Sequence, residues 1–203
     1  MPFDAEEKRN PIMSQIGFYY DQTRCAGCKT CQVACKDKNR LEVGVIFRNA
    51  HTYSVGTFPS VHCYSYSGTC YHCAEPACVE RCPTGAMYRA EDGVVLHDDE
   101  LCTGCGTCVN ACPYGNPKVL PEANIAAKCD SCKALRDAGG NPACVDACPQ
   151  RALEFGDIDM LQEIHGAAQV SLAVLPRPEN TQPSLVVRAK EAAFDPHFQE
   201  ITY

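Results

Sequence analysis

Short apolar stretches bounded by turn residues dominate the chain. Ile16 to Asp21 (IGFYYD) has strand character and feeds directly into a cysteine-rich segment, after which Cys31 to Arg40 reads as a short helix. Val43 to Phe47 and Val61 to Tyr66 read as further strands. Ala86 to Arg89 and Val94 to His97 form two short strands about a turn at Glu91, Asp92 and Gly93. Near the end, Asp157 to His165 reads as a short helix and Ser184 to Arg188 as a strand. The opening residues 1–15, acidic and polar, look like a loose arm. Residues 166–203 form a polar tail that is expected to lie across another subunit, because it is too polar to make a core of its own. No stretch approaches the roughly 18 apolar residues of a membrane span.

A chain of 203 residues fits one or two domains. The 45% apolar content includes 17 cysteines, so it overstates the material available for an ordinary core. Twelve of those cysteines lead into or sit within CxxC-type runs, and a further four close them. The central run is Cys102-Thr-Gly-Cys105-Gly-Thr-Cys108-Val-Asn-Ala-Cys112-Pro113. Three cysteines in seven residues, with a fourth before proline, form the bacterial ferredoxin run that wraps a [4Fe-4S] cluster. Three more runs follow the same plan: Cys25, Cys28, Cys31 and Cys35; Cys70, Cys73, Cys78 and Cys82; and Cys129, Cys132, Cys144 and Cys148, whose middle gap widens to 11 residues.

Sixteen cysteines in four runs meet the thiolate demand of four [4Fe-4S] clusters. CxxC pairs also build zinc ribbons, but a tetrahedral zinc needs no third cysteine three residues on. A disulfide framework at this density belongs to shorter secreted chains. Cys63 lies outside every run and is expected to be a small buried side chain. With sixteen thiolates and four oxidised cluster cores, the formal charge of -7 becomes about −15, which repels nucleic acid.

The runs are related by a permuted internal repeat. GVVLHD before Cys102 matches IGFYYD before Cys25, so that Asp98 coincides with Asp21, while CPTGAM after Cys82 matches CPQRAL after Cys148. The first run is therefore expected to pair with the last, and the two middle runs with each other. The fold expected is α+β, a duplicated bacterial two-[4Fe-4S] ferredoxin fold with one lobe inserted in another. The outer lobe spans about 16–60 plus 114–165 and the inner lobe 61–113.

In such a pair the fourth cysteine of each run reaches the other cluster. That rule assigns Cys25, Cys28, Cys31 and Cys148 to a first cluster and Cys129, Cys132, Cys144 and Cys35 to a second. It gives Cys70, Cys73, Cys78 and Cys112 to a third and Cys102, Cys105, Cys108 and Cys82 to a fourth. Lys36 follows Cys35 where the other runs have proline, which predicts a looser turn with a positive charge beside the cluster. Arg24, Lys29, Arg81 and Lys128 are similarly placed, either tuning reduction potential or balancing anionic clusters as solvated charges.

Nothing resembles a substrate site. The C-x3-C-x2-C of adenosylmethionine radical enzymes is absent, and Gly104 and Gly106 sit inside a cluster loop rather than in a dinucleotide turn. His72, inside the second run, is expected at the surface. The opening segment has neither a signal peptide's charged and apolar regions nor a twin arginine. Membrane association is thus expected through partners, on the cytoplasmic side or after export with a partner.

RCAGCKTCQVACKDKN, CYHCAEPACVERCPTGAM, CTGCGTCVNACPYGNP and CPQRALEFGDID resemble the iron-sulfur subunits of dimethyl sulfoxide reductase and related molybdopterin oxidoreductases, over about residues 16–175. That resemblance implies an electron-transfer subunit of anaerobic respiration, not catalytic alone, placed between a large molybdopterin catalytic subunit and an integral-membrane anchor linked to quinone. It implies a wire running from the Cys25 cluster, nearest the catalytic subunit, through the Cys129 and Cys70 clusters to the Cys102 cluster near the membrane. Some relatives replace the cysteine at the position of Cys105 and hold a three-iron cluster; with Cys105 present, all four are expected to be [4Fe-4S]. The alternatives are a relay of a hydrogenase or formate-linked complex, or a free polyferredoxin.

Overall fold

Short helices and strands alternate around the cysteine runs in the computed structural model, which describes residues 15–166 and 171–202. Strand β1 (Ile16–Asp21) leads into the first run, and helix α1 (Thr30–Lys38) carries Cys31 and Cys35. The insertion forms a hairpin of β2 (Asn49–Val55) and β3 (His62–Gly68). Helix α2 (Ala77–Glu80) carries Cys78, the hairpin β4 (Met87–Arg89) and β5 (Val95–His97) joins the middle runs, and α3 (Thr107–Ala111) carries Cys108. A small ladder of β6 (Lys118–Val119) and β7 (Ala126–Ala127) follows. Then come α4 (Lys133–Asp137), α5 (Ala143–Asp146), β8 (Leu153–Asp157), α6 (Ile158–His165), β9 (Leu185–Arg188) and β10 (Phe198–Glu200).

The expected mixture of short strands and helices is present. Helices of four or five residues fall far below the length at which a helix persists alone, so α2, α3 and α5 depend on what Cys78, Cys108 and Cys144 hold, and α4 on what its N-cap residue Cys132 holds. Helix α6 is different. Its start is capped by Asp157, whose Oδ1 accepts from Met160 N at 3.0 Å, and it ends at Gly166, which takes φ +57°.

Strand β1 sits centrally between β8 and β9. It is antiparallel to β8, placing Phe18 opposite Phe155, and parallel to β9, placing Phe18 opposite Leu185. Phe18, Tyr19 and Tyr20 are all buried, because one face of this sheet packs on the cysteine quartets and the other is covered by α6 through Leu161. Gly17 allows a neighbouring strand to come close, since a Cβ there would lie 2.2 Å from the carbonyl oxygen of Ser184. The hairpin β4–β5 is the small counterpart in the middle of the chain, with Met87 opposite His97.

Two expectations need correction, and a third lies almost wholly outside the described residues. Val43–Phe47 is not a strand; Val43 is 97% exposed, while Val45 and Phe47 pack as an irregular loop against Cys35, Cys70 and Cys129. The strand there is β2, whose mixed sequence NAHTYSV carries no clean alternation. The tail, expected to lie across another subunit, lies across this chain. Leu185, Val186 and Val187 are buried beside β1, β10 adds to β2, and Ala74 N and Glu75 N donate to the carbonyls of Gln182 and Thr181 at 2.9 and 3.1 Å. Three consecutive apolar residues buried on both faces of a strand supply the core that the tail's composition concealed. Finally, the expected arm falls on residues outside those described, except Gln15. That side chain donates to the carbonyl of His72 at 2.7 Å.

Candidate iron-sulfur centres

All four runs make the same bend. The residue before the second cysteine is left-handed in each: Gly27 at φ +69°, His72 at +45°, Gly104 at +69° and Ser131 at +54°. This conformation turns the chain around a point and aims backbone N–H groups inward, a concavity suited to anions. Gly27 N donates to Cys25 Sγ at 3.4 Å, Gly104 N to Cys102 Sγ at 3.4 Å and Ser131 N to Cys129 Sγ at 3.3 Å. At Gly104 only glycine fits, because a Cβ would meet the carbonyl oxygen of Asn124 at 2.1 Å.

The run ends differ in a way that follows from one residue. After Cys82, Cys112 and Cys148 comes proline, and the residue three past each cysteine is left-handed: Gly85, Gly115 and Arg151. After Cys35 comes Lys36, which keeps its N–H, so α1 runs on to Lys38. The expected looseness is absent. Lys36 Nζ donates to the carbonyls of Glu42 at 2.6 Å and Val45 at 3.1 Å, anchoring the loop rather than leaving a free charge.

The side chains then gather across runs. A small cavity, partly open to solvent, is lined by Cys25, Cys28, Cys31 and Cys148, drawn from opposite ends of the core. A second is lined by Cys70, Cys73, Cys78 and Cys112. Around Cys129, burial raises the thiol pKa most, and the neighbouring thiolates of Cys35, Cys70 and Cys144 add to it; Cys132 likewise has Cys144 beside it. Cys108 is raised by burial and then by Cys82 and Cys102, and Cys105 also has Cys82 nearby.

These surroundings fit a multi-atom anionic group. Among the described residues no three His, Cys, Asp or Glu side chains converge as a single metal ion requires, whereas the first and third quartets surround a volume. Burial pushes Cys35 up to about 11 and Cys73 and Cys78 up to about 12. Without iron these thiols stay protonated, so cluster assembly must release their protons. Within the runs, the exposed thiols lie at two places. Cys28 and Cys105 each have a threonine hydroxyl at 3.3 Å, from Thr30 and Thr107, which lowers the thiol pKa.

Several polar residues occupy places the sequence did not suggest. His72 is fully buried rather than at the surface; its Nδ1 accepts from Val95 N at 3.2 Å, and burial, then Lys128, keep it neutral. Lys128 is buried too, donating to the carbonyls of Val95 and Cys129. Arg24 Nη1 donates to the carbonyl of Arg151 at 3.2 Å, while Arg81 is exposed at the end of α2. Arg48, which no motif marks, is 1% exposed. Cys63 is exposed on β3 opposite Ser54, not buried; with His62 it forms the exposed start of the strand, ahead of the buried stretch Tyr64 to Ser67.

Residues 61–158 match the family described as a 4Fe-4S dicluster domain, and residues 22–40 match a 4Fe-4S binding domain. The protein is 44% identical over 190 residues to the B subunit of anaerobic dimethyl sulfoxide reductase from Haemophilus influenzae, covering 89% of this sequence and 92% of that one. It is 42% identical over 185 residues to the B subunit of anaerobic dimethyl sulfoxide reductase from Escherichia coli, covering 87% and 90%. It is 40% identical over 151 residues to Protein NrfC of Escherichia coli, covering 71% and 66%.

Proposed function

The chain belongs to the family of anaerobic dimethyl sulfoxide reductase B subunits, and from that premise we propose that it is a four-cluster wire between a molybdopterin catalytic subunit and a quinone-linked membrane anchor. It is an electron-transfer subunit that carries [4Fe-4S] clusters and is not catalytic alone. Bound clusters supply sites that accept and pass one electron at a time. The residues of this chain hold them, space them and set their surroundings.

The partition we propose is Cys25, Cys28, Cys31 and Cys148; Cys129, Cys132, Cys144 and Cys35; Cys70, Cys73, Cys78 and Cys112; and Cys102, Cys105, Cys108 and Cys82. The observation that carries it is the cavity lined by Cys148 together with the first three cysteines of the chain. The lobe arrangement follows: 61–113 as an inner ferredoxin lobe within an outer lobe of 16–60 plus 114–165. Pairing of β1 with β8, and of β4 with β5, supports it.

The order along the wire is supported by which thiols of different quartets neighbour each other. Cys31 neighbours Cys144, Cys129 neighbours Cys70, and Cys78 neighbours Cys108. That sequence of contacts is linear, and it leaves Cys28 and Cys105 as exposed thiols at the two ends. Electrons would enter or leave there, with partners covering each end. Among the described residues no helix is long and apolar enough to cross a membrane, so membrane association would come from the anchor.

Gentle anaerobic affinity purification tests this reading. It should recover a large molybdenum-containing subunit with the protein, and the isolated protein should accept electrons from a strong reductant while reducing no sulfoxide or N-oxide. A lone protein with no molybdenum in any associated fraction would overturn it in favour of a free polyferredoxin.

A further inference from the structure

Arg48 is a full cation in a place where cations are costly. Its guanidinium is buried to 1% exposure, stacked with Cζ 4.6 Å from the ring centre of Phe18. Nη1 donates to Ser67 O at 3.0 Å and Ser67 Oγ at 3.2 Å, and that hydroxyl lies 3.3 Å from Cys31 Sγ. Nε and Nη2 meet no protein acceptor. No carboxylate pairs with Arg48 among the ion pairs of the described residues. A buried guanidinium without a counter-charge is strongly destabilising, so its surroundings must supply the anion.

They do so from two quartets at once. The thiols whose charge it would feel are those of Cys144, Cys31, Cys129 and Cys35. Cys31 belongs to the first proposed quartet; Cys144, Cys129 and Cys35 belong to the second. One side chain therefore stands at the junction between the two outer centres, with its Nε and Nη2 buried and unpartnered among the described residues.

Resting on the cluster assignment above, we propose that Arg48 is a positioning residue that sets the potentials of the first two clusters together. Its fixed charge stabilises the reduced, more anionic state of either one, and its Nε–H and Nη2–H groups donate to their sulfur. Hydrogen bonds and net charge near the sulfurs are established levers on cluster potential. Because the charge is shared, an electron passing between the two centres stays within the field of one cation. A guanidinium suits this task better than an ammonium, since its planar fork can present donors in several directions at once.

The test uses the complex purified anaerobically, with Arg48→Gln and Arg48→Lys as variants. Iron and sulfide are counted first, and cluster loading in the unaltered protein is confirmed by electron paramagnetic resonance; absence of clusters there would reject the assignment itself. In a redox titration, Arg48→Gln should lower the reduced-to-oxidised ratio of both outer clusters by about tenfold at fixed potential, equal to about 59 mV for one electron. The inner clusters should not shift. Arg48→Lys should recover part of the change. Fully loaded Arg48→Gln protein with unshifted outer clusters would overturn the proposal, as would a Lys variant shifted as far as Gln. Should Gln prevent loading, guanidino-¹⁵N arginine in the unaltered protein gives the decision. A nitrogen coupling on the reduced outer clusters that is lost in Arg48→Lys supports the proposal, and its absence rejects it.

Discussion

The backbone N–H of Asp21 donates to the carbonyl of Ala152 at 2.9 Å, and the backbone N–H of Asp98 donates to the carbonyl of Ala86 at 2.8 Å. Each alanine is the fourth residue after the cysteine of a Cys-Pro pair, and each aspartate leads into a cysteine run. In both, the aspartate Oδ1 then accepts from the backbone two residues on: Thr23 N at 2.8 Å and Glu100 N at 2.9 Å. The same junction is built twice. The middle copy joins neighbouring segments, whereas the outer copy joins the two ends of the core.

Asp21 should therefore matter to stability out of proportion to its size. It accepts from Thr23 N, Thr23 Oγ1 and Arg24 N, so Asp21→Ala should cost about 1–2 kcal/mol. Burial alone would raise its carboxyl pKa, but the bonds from Thr23 and Arg24 hold it below the usual carboxylate value. The stabilising effect is thus complete above the unfolded pKa and fades as pH falls through the lower folded one. Chemical denaturation of the parent and Asp21→Asn proteins should show a gap at neutral pH that narrows in acid; a gap that widens would contradict this.

Cys148→Ser should disturb the cluster held by Cys25, Cys28 and Cys31, far away in sequence, and leave the inner clusters' magnetic spectra largely intact. The shared cavity is the reason. A response confined to the Cys129 cluster would mean that each run holds its own.

The cysteine runs, the β1, β4–β5 and α6 segments, and the equivalence of Asp21 with Asp98 were legible because spacing and turn chemistry are local signals. Burial of Arg48, His72 and Lys128 was not. Pattern reading assigns polar residues to the surface, and these three lie inside because anionic centres and backbone carbonyls occupy the interior where hydrocarbon would otherwise be. Strand β2 was missed for the opposite reason: His51, Thr52, Tyr53 and Ser54 are all half-buried, so no alternation marks the strand. The tail misled through its average polarity, which hid the apolar run Leu185, Val186 and Val187.

Cys105 is an exposed thiol, proposed above as a ligand of the Cys102 cluster. Cys105→Ser should convert the Cys102 cluster to a three-iron form, since that cluster type lacks one iron and one ligand, and its higher potential should trap electrons there. Four ordinary cubanes with full quinol-linked turnover in the variant would contradict this.

Removal of iron should dismantle the fold rather than empty it. Helices α2, α3, α4 and α5 are each no longer than five residues, and burial raises the thiol pKa of Cys78 in α2 and Cys108 in α3. Chelation under reducing conditions should abolish the cooperative unfolding transition and expose run-adjacent amides to hydrogen exchange. Retained protection in iron-free protein would show that the hydrophobic clusters suffice.

The central claim is that sixteen cysteines of this one protein hold four redox centres. Anaerobically prepared protein, analysed for metals and titrated with a one-electron reductant, should contain about sixteen irons and sixteen acid-labile sulfides and take up about four electrons per molecule. Substantial zinc with little sulfide, or uptake of only two electrons by fully loaded protein, would contradict it.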